Sequence, residues 1–289
     1  MNQHSIKTIA LNTLLAASLI AEEPYRIPHA ELSDLTTDRP DFTESAETVD
    51  RGWVHHEMTL FQYSEDFDGV DGSRVAWNYG SSLFRVGLLQ DWELRLGWNG
   101  YSNTRTHDST GANPTDTVGG GGDTNFGFKS KLSIQEAWIP STAIIYSLSL
   151  PTGASNVSSE SVDPFVKLCW SYDITERLAV SGNFNFSLLN PDVAAIDPAT
   201  GAPDATARNR HVQFQPTISF GYSLLDWWGV FTEYYTSHNL HRSIPDQHFF
   251  DTGFTFLVTK NLQFDVFTNV GLTKPSTDLV IGTGVSYRF

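Results

Sequence analysis

The chain has 289 residues, with 33 acidic side chains against 18 basic ones and a formal charge of -15 at pH 7. That balance argues against a nucleic-acid partner, whose phosphates demand clustered Lys and Arg. The single cysteine, Cys169, excludes an internal disulfide framework and any multi-cysteine metal site, and no stretch reaches the roughly 18 consecutive apolar residues of a transmembrane helix.

In chain order, the longest apolar run is Ile9–Ala21, after Lys7 and before Glu22 and Glu23. This is the layout of a secretory signal peptide over residues 1–21, with Ala17 and Ser18 as alternative exits. Residues 22–50 are polar and keep neither a period of 2 nor one of 3.6, so they are expected to form an extended periplasmic segment or an inner plug. From residue 51 to 289 the spacing predicts one barrel domain of strands about 9–13 residues long, close to what a tilted membrane-spanning strand needs.

Twelve such strands are expected: Gly52–Tyr63, Arg74–Gly87, Glu93–Tyr101, Asp123–Ile134, Ser141–Leu150, Val162–Tyr172, Arg177–Leu188, Arg210–Tyr222, Trp227–His238, Gln247–Val258, Asn261–Gly271 and Asp278–Phe289. Short connections such as Asp173–Glu176 alternate with long ones such as Ser102–Gly122 and Asn190–Asn209, as periplasmic turns alternate with outer loops. The Gly119–Gly122 run lacks the Lys-Ser/Thr ending of a phosphate loop and reads as a flexible outer loop.

The faces of these segments are unlike. In Arg177–Leu188, Leu178, Val180, Phe184 and Phe186 oppose Ser181, Asn183 and Asn185; in the last segment, Leu279, Ile281, Val285 and Tyr287 oppose Gly282, Gly284, Ser286 and Arg288. A period of two with one apolar and one polar face fits an all-β, twelve-stranded antiparallel transmembrane barrel. The closing aromatic Phe289 resembles the sorting signal of outer-membrane β-barrel proteins. That resemblance implies the bacterial outer membrane as location, with membrane lipid, lipopolysaccharide and the barrel-assembly machinery as partners. Trp53, Trp92, Trp98, Tyr101, Trp170, Tyr172, Tyr222, Trp227, Trp228 and Tyr287 lie near strand ends and are expected as interfacial girdles.

By parity the inward charges are Glu57, Arg85, Arg95, Lys129, Lys131, Asp163, Lys167, Arg177, Glu233, Asp251, Asp265 and Arg288. They suit either an interior zipped by ion pairs or a channel whose charged rings select solutes. Lys129, Lys131, Lys167 and Arg177 form the candidate basic patch, which would favour anionic solutes. No catalytic residue, metal site or cofactor is assigned. Ser237 and His238 are adjacent, and neighbours on a strand face opposite ways, so they do not form a nucleophile–base pair. His238, His241, Asp246 and His248 surround one outer loop and could bind a metal, but flexible outer loops often contain such residues without one, and no metal is assigned.

The stretch TTDRPDFTES at Thr36–Ser45, followed by GWVHHEMTLFQY at Gly52–Tyr63, is the most specific feature of the chain. It resembles the start of the bacterial outer-membrane transporter family labelled "MetA-pathway of phenol degradation", in which this motif precedes a first strand carrying a Glu, here Glu57. The resemblance implies a barrel that takes up aromatic or other small hydrophobic compounds. Asp38, Arg39, Asp41 and Glu44 are the motif's charged group, expected to enter or cap the periplasmic mouth with Arg39 paired to Glu57. The expected function is a channel for passive passage of small molecules. The alternatives are a structural or surface-interaction barrel with a filled lumen and an outer-membrane lipid-modifying enzyme.

Overall fold

The computed structural model describes residues 26–68, 72–108, 114–189 and 210–289; the expected signal peptide and the Asn190–Asn209 connection lie outside them. Strands β1 (Val54–Asp68), β2 (Gly72–Tyr79), β3 (Ser82–Leu89), β4 (Trp92–Trp98), β5 (Tyr101–His107), β6 (Pro114–Gly121), β7 (Thr124–Ser133) and β8 (Ser141–Leu150) form the first half. The second half comprises β9 (Asp163–Asp173), β10 (Leu178–Leu189), β11 (His211–Leu225), β12 (Trp228–Asn239), β13 (Gln247–Thr259), β14 (Leu262–Gly271) and β15 (Leu279–Arg288).

Twelve of these, β1, β3, β4 and β7 through β15, close into an antiparallel barrel. The seam joins the two ends of the domain: His55 faces Arg288 and Glu57 faces Ser286 across β1 and β15. Val54 N donates to the Phe289 carbonyl at 3.0 Å, and Phe289 N returns the bond at 2.9 Å.

The side-chain alternation is inside out relative to a water-soluble sandwich. On β10, Asn183 and Asn185 are buried while Phe184 and Phe186 are exposed, and the same inversion runs through β11 and β14. A sheet exposes its large apolar face and buries its amides only where the outer solvent is lipid. Exposed aromatics gather at the strand ends, among them Trp92, Trp98, Tyr101, Tyr222, Trp227 and Tyr287. Trp53 departs from the girdle expectation. It is buried, Arg26 lies over its ring at 3.6 Å, and its indole donates to the Ile27 carbonyl at 2.7 Å.

Three consecutive wall strands are broken at one level, between β2 and β3, β4 and β5, and β6 and β7. Gly80 and Gly100 take φ of +69° and +78° there, a region open to glycine and costly for other residues. Trp98 donates to the Gly122 carbonyl at 3.2 Å, and Asn78 and Asn125 bond to Asn99 at 2.9 and 2.8 Å, tying the three breaks together. Above them β2, β5 and β6 continue from the upper half of β1 as a flap, and among the described residues β6 pairs with β5 alone.

This corrects the expectation of a loop over Ser102–Gly122, which contains most of β5 and all of β6, including Gly119–Gly121. Those segments bear Asn103, Arg105, Asp116 and Thr117 and lack an apolar face, because they stand above the zone in which alternation is enforced by lipid. Alternation alone therefore registers the lipid-contacting part of the wall and misses its polar extension.

Candidate functional site: the filled lumen

Residues from about 33 to 50 run through the barrel interior without forming a strand, and their polar groups are met by the wall. Asp38 is the hub on one side. Its carboxylate meets Arg95 at 2.6 Å, Lys129 at 3.1 Å and Arg85 at 3.4 Å. Its own N–H donates to Glu57 at 3.0 Å. Arg85 engages Glu93 through two nitrogens at 2.9 Å and Glu57 through a third contact at 2.9 Å. It also donates to the Glu47 carbonyl at 2.8 Å. Fully buried ions persist only when each is paired and hydrogen-bonded, and this cluster meets that condition. Burial opposes ionisation of Asp38, yet Arg85, Lys129 and Arg95 together hold its carboxyl well below the usual range.

Glu93 belongs to this cluster and was not anticipated from sequence. It accepts from Arg85, from Arg95 at 2.8 Å and from Val49 N at 2.9 Å. The signal was present in the Glu93–Arg95 spacing, which puts both on one face of β4. Reading Glu93 as the first residue after a turn concealed it.

Further along the segment, Glu44 bridges two wall cations: one carboxylate oxygen meets Lys167 and the other Arg95 at 2.7 Å. Burial again opposes its charge, and Arg95 and then Lys167 bring its carboxyl below the ordinary value. Lys131 pairs with Glu47. Register brings the Lys129 and Lys167 rows together, since both face Ile145 of the intervening β8. Ala143, Ile145 and Cys169 close around Ala46, giving the segment a small apolar seat. Arg177 lies apart from this basic patch: it is exposed in the β9–β10 turn, one residue before β10 begins. The expected four-residue patch is therefore Lys129, Lys131 and Lys167, each already paired.

Arg39 does not pair with Glu57 as expected. It crosses to the far wall and grips Asp265 on β14 through two nitrogens, at 2.8 and 3.2 Å, while its third donates to Thr59 at 2.6 Å. Glu57 is unavailable because Arg85 sits directly beside it, His55 facing Arg85 and Glu57 facing Leu83 across β1 and β3. The guanidinium lies against Gly284 of β15, where any Cβ would collide with it.

On β11 to β13 the contacts change character. Glu233 accepts from Phe42 N at 2.7 Å and from the Thr43 hydroxyl. Asp251 stands directly opposite Glu233 across β12 and β13, and one of its oxygens has no partner. Asp41 accepts from the Ser219 hydroxyl at 3.0 Å. Burial, then the neighbouring Glu233, push the Asp41 carboxyl well above its usual value. The Phe42 ring stacks on Tyr235 at 4.4 Å, and Tyr235 on Phe249 at 4.7 Å.

At the periplasmic rim, Arg288 donates to the Ser33 carbonyl at 2.7 Å and to Asn261 at 3.0 Å. Asp163 lies at the outer start of β9, bonded by Ser161 at 2.6 Å. Ser237 is buried, while His238 is half exposed and bonded to Asp246 at 2.9 Å, so the two do not meet. Among the described residues no group of His, Cys, Asp and Glu side chains has metal-binding geometry.

Two cavities flank the segment. One, of about 450 Å³, opens toward the outer side and is lined by Ser82, Asn125, Ser149 and Lys167. The other, of about 590 Å³, is lined by the periplasmic turns around Thr175, Arg177 and Ser223. Arg39 and Asp41 border both.

Comparison with solved structures shows the fold. An outer membrane channel from Pseudomonas putida F1, designated COG4313, superposes with a TM-score of 0.63 at 12% identity, covering 87% of this chain and 99% of that one. The translocator domain of the autotransporter NalP from Neisseria meningitidis gives a TM-score of 0.54 at 12% identity, covering 82% and 88%. No match was found among curated protein sequences. The barrel, with its lipid-facing apolar band, is of the bacterial outer-membrane type. A family model matches from residue 37, inside the TTDRPDFTES stretch, to residue 289, and the chain belongs to that family, described as "Putative MetA-pathway of phenol degradation".

Proposed function

We propose that this chain is an outer-membrane channel for small molecules, held closed by its own residues 36–50. The observation that carries this reading is the pair of cavities: Arg39 and Asp41 border both, so the segment divides what would otherwise be one water-filled path. Passage then requires the segment to shift, and no chemical conversion is involved. The similarity to a solved outer membrane channel and a family description that concerns phenol degradation support small, aromatic or otherwise apolar cargo. The final strand ending in Phe289 supports recognition by the barrel-assembly machinery, and the acidic outer loops support contact with lipopolysaccharide through divalent cations.

The test is deletion of Thr36–Ser45, with single-channel recording in planar bilayers and heat-modifiable gel mobility as the folding control. The intact protein is expected to conduct rarely, and the deletion variant persistently. A folded deletion variant that conducts no more than the intact protein would overturn the plug and leave a structural barrel.

A further inference from the structure

Resting on the channel reading, we propose that the Glu44 clasp is a docking site for a small aromatic carboxylate, whose carboxylate takes the place of the Glu44 side chain between Lys167 and Arg95. Glu44 already presents a carboxylate there, one oxygen on the Lys167 ammonium and the other 2.7 Å from Arg95. The wall therefore holds a preformed carboxylate seat, occupied by a residue of the chain itself. Its access distinguishes it from the Asp38 cluster. All three residues border the outer cavity, but the Asp38 side chain is 3% exposed, whereas those of Glu44 and Lys167 are 16% and 20% exposed.

The apolar half of the site adjoins the cations. The Lys167 ammonium lies 5.8 Å from the centre of the Phe42 ring, which is backed by Tyr235. Phe165 and Ile145 line the same cavity. A ring set on this floor gains apolar contact, and a volume near 450 Å³ admits a single-ring acid. The charge is required as well as the ring. A neutral hydrocarbon that displaced Glu44 would leave two cations short of a counter-ion, whereas a carboxylate replaces one anion with another. Because Glu44 is one of the anchors of the segment, the exchange frees that anchor. Solute binding and loosening of the plug are then the same event.

Calorimetric titration of the refolded full chain in detergent micelles with sodium benzoate tests this, with acetate as the charge-only control and benzyl alcohol as the ring-only control. Benzoate is expected to bind saturably, with acetate (no ring) and benzyl alcohol (no charge) each weaker by at least about tenfold. Glu44→Gln frees the cations and should tighten benzoate about tenfold, while Lys167→Met should weaken it by a similar factor. Absence of benzoate binding, benzyl alcohol binding as tightly as benzoate, or unchanged affinity in Glu44→Gln would each overturn the site. If neither variant folds, the three-ligand comparison on the intact protein decides. Bilayer recording separates the two readings. A barrel that binds benzoate but stays silent after the deletion overturns the channel alone. A deletion variant that conducts, with an intact protein indifferent to benzoate, overturns the site alone.

Discussion

Along β1, β3, β4, β7 and β9 the inserted segment meets Arg85, Arg95, Lys129, Lys131 and Lys167, against two wall carboxylates, Glu57 and Glu93. Along β12 to β14 it meets Glu233, Asp251 and Asp265. The segment is polarised to match: Asp38, Glu44 and Glu47 turn to the basic wall, and Arg39 turns to Asp265. The match fails at one place. Asp41 faces the acidic side, where Glu233 and Asp251 stand opposite each other with no cation paired to either among the described residues. Like charges directly across a strand pair destabilise. The basic wall thus holds the segment by ion pairs, and the acidic wall by hydrogen bonds and aromatic stacking against an electrostatic cost.

The sharpest break of this contrast is Asp38→Asn. Three buried cations lose their shared carboxylate, and removing one partner of a buried ionic cluster costs about 3–5 kcal/mol. Segment release, read as protease cleavage within residues 26–50 and as frequent conductance, is the expected outcome. Next in size is Arg39→Met, which removes the two-nitrogen grip on Asp265 and should raise open probability by one to two orders of magnitude, an effect of roughly 1.5–3 kcal/mol. Equal stability of either variant and the parent would remove the ion-pair account of closure.

The acidic wall should answer with the opposite sign. Glu233→Gln keeps an acceptor for Phe42 N and removes one of the facing charges, so the closed state should be unchanged or tighter. A more open channel would show that Glu233 holds the segment by its charge.

Acidity extends the same comparison. Asp41, raised by burial and by Glu233, binds its proton more tightly when the segment is seated. Its contribution to seating is therefore fully present below the ordinary carboxylate range, near pH 4, and is lost as pH rises through the raised value. Asp38 and Glu44, held low, contribute above that range and lose their contribution as pH falls below it. Open probability should accordingly be higher at pH 8 than at pH 5, and Asp41→Asn should flatten that dependence. A steeper dependence in Asp41→Asn would refute the assignment. Smallest is Lys131→Met: its partner Glu47 is the most exposed of the segment's paired carboxylates, at 37%, so the change should stay below about 1 kcal/mol.

Much of the barrel was legible because lipid imposes a two-residue period on every strand it touches. The β1–β15 seam and the inward parity of Glu57, Arg85, Arg95 and Lys129 followed from that rule. The flap was not legible, because Asn103, Arg105 and Thr117 obey no such rule above the membrane. The motif Asp38-Arg39-Pro40-Asp41 could be singled out as charged, but not its partners. Arg39 finds Asp265 rather than Glu57 because of which wall the segment faces at that residue, and pairings of this kind are set by three-dimensional routing. Glu93 was missed for a simpler reason: it opened the expected strand Glu93–Tyr101 and shared the parity of Arg95, yet a residue beside a turn was not counted with the inward set.

The partners of the segment also fix a chronology. Ser33 bonds to Arg288 across 255 positions, Arg39 to Asp265 across 226, and Phe42 to Glu233 across 191. Contacts of such span form only after the intervening chain is in place. The earliest part of the described chain is thus among the last to complete its set of neighbours, which it does when β12, β14 and β15 arrive. Its contacts with the basic row span fewer positions, 57 from Asp38 to Arg95, 91 from Asp38 to Lys129 and 123 from Glu44 to Lys167, so the ion-paired side needs no strand beyond β9. The anchors on the acidic wall and at Arg288 are thus the ones that mark the end of assembly.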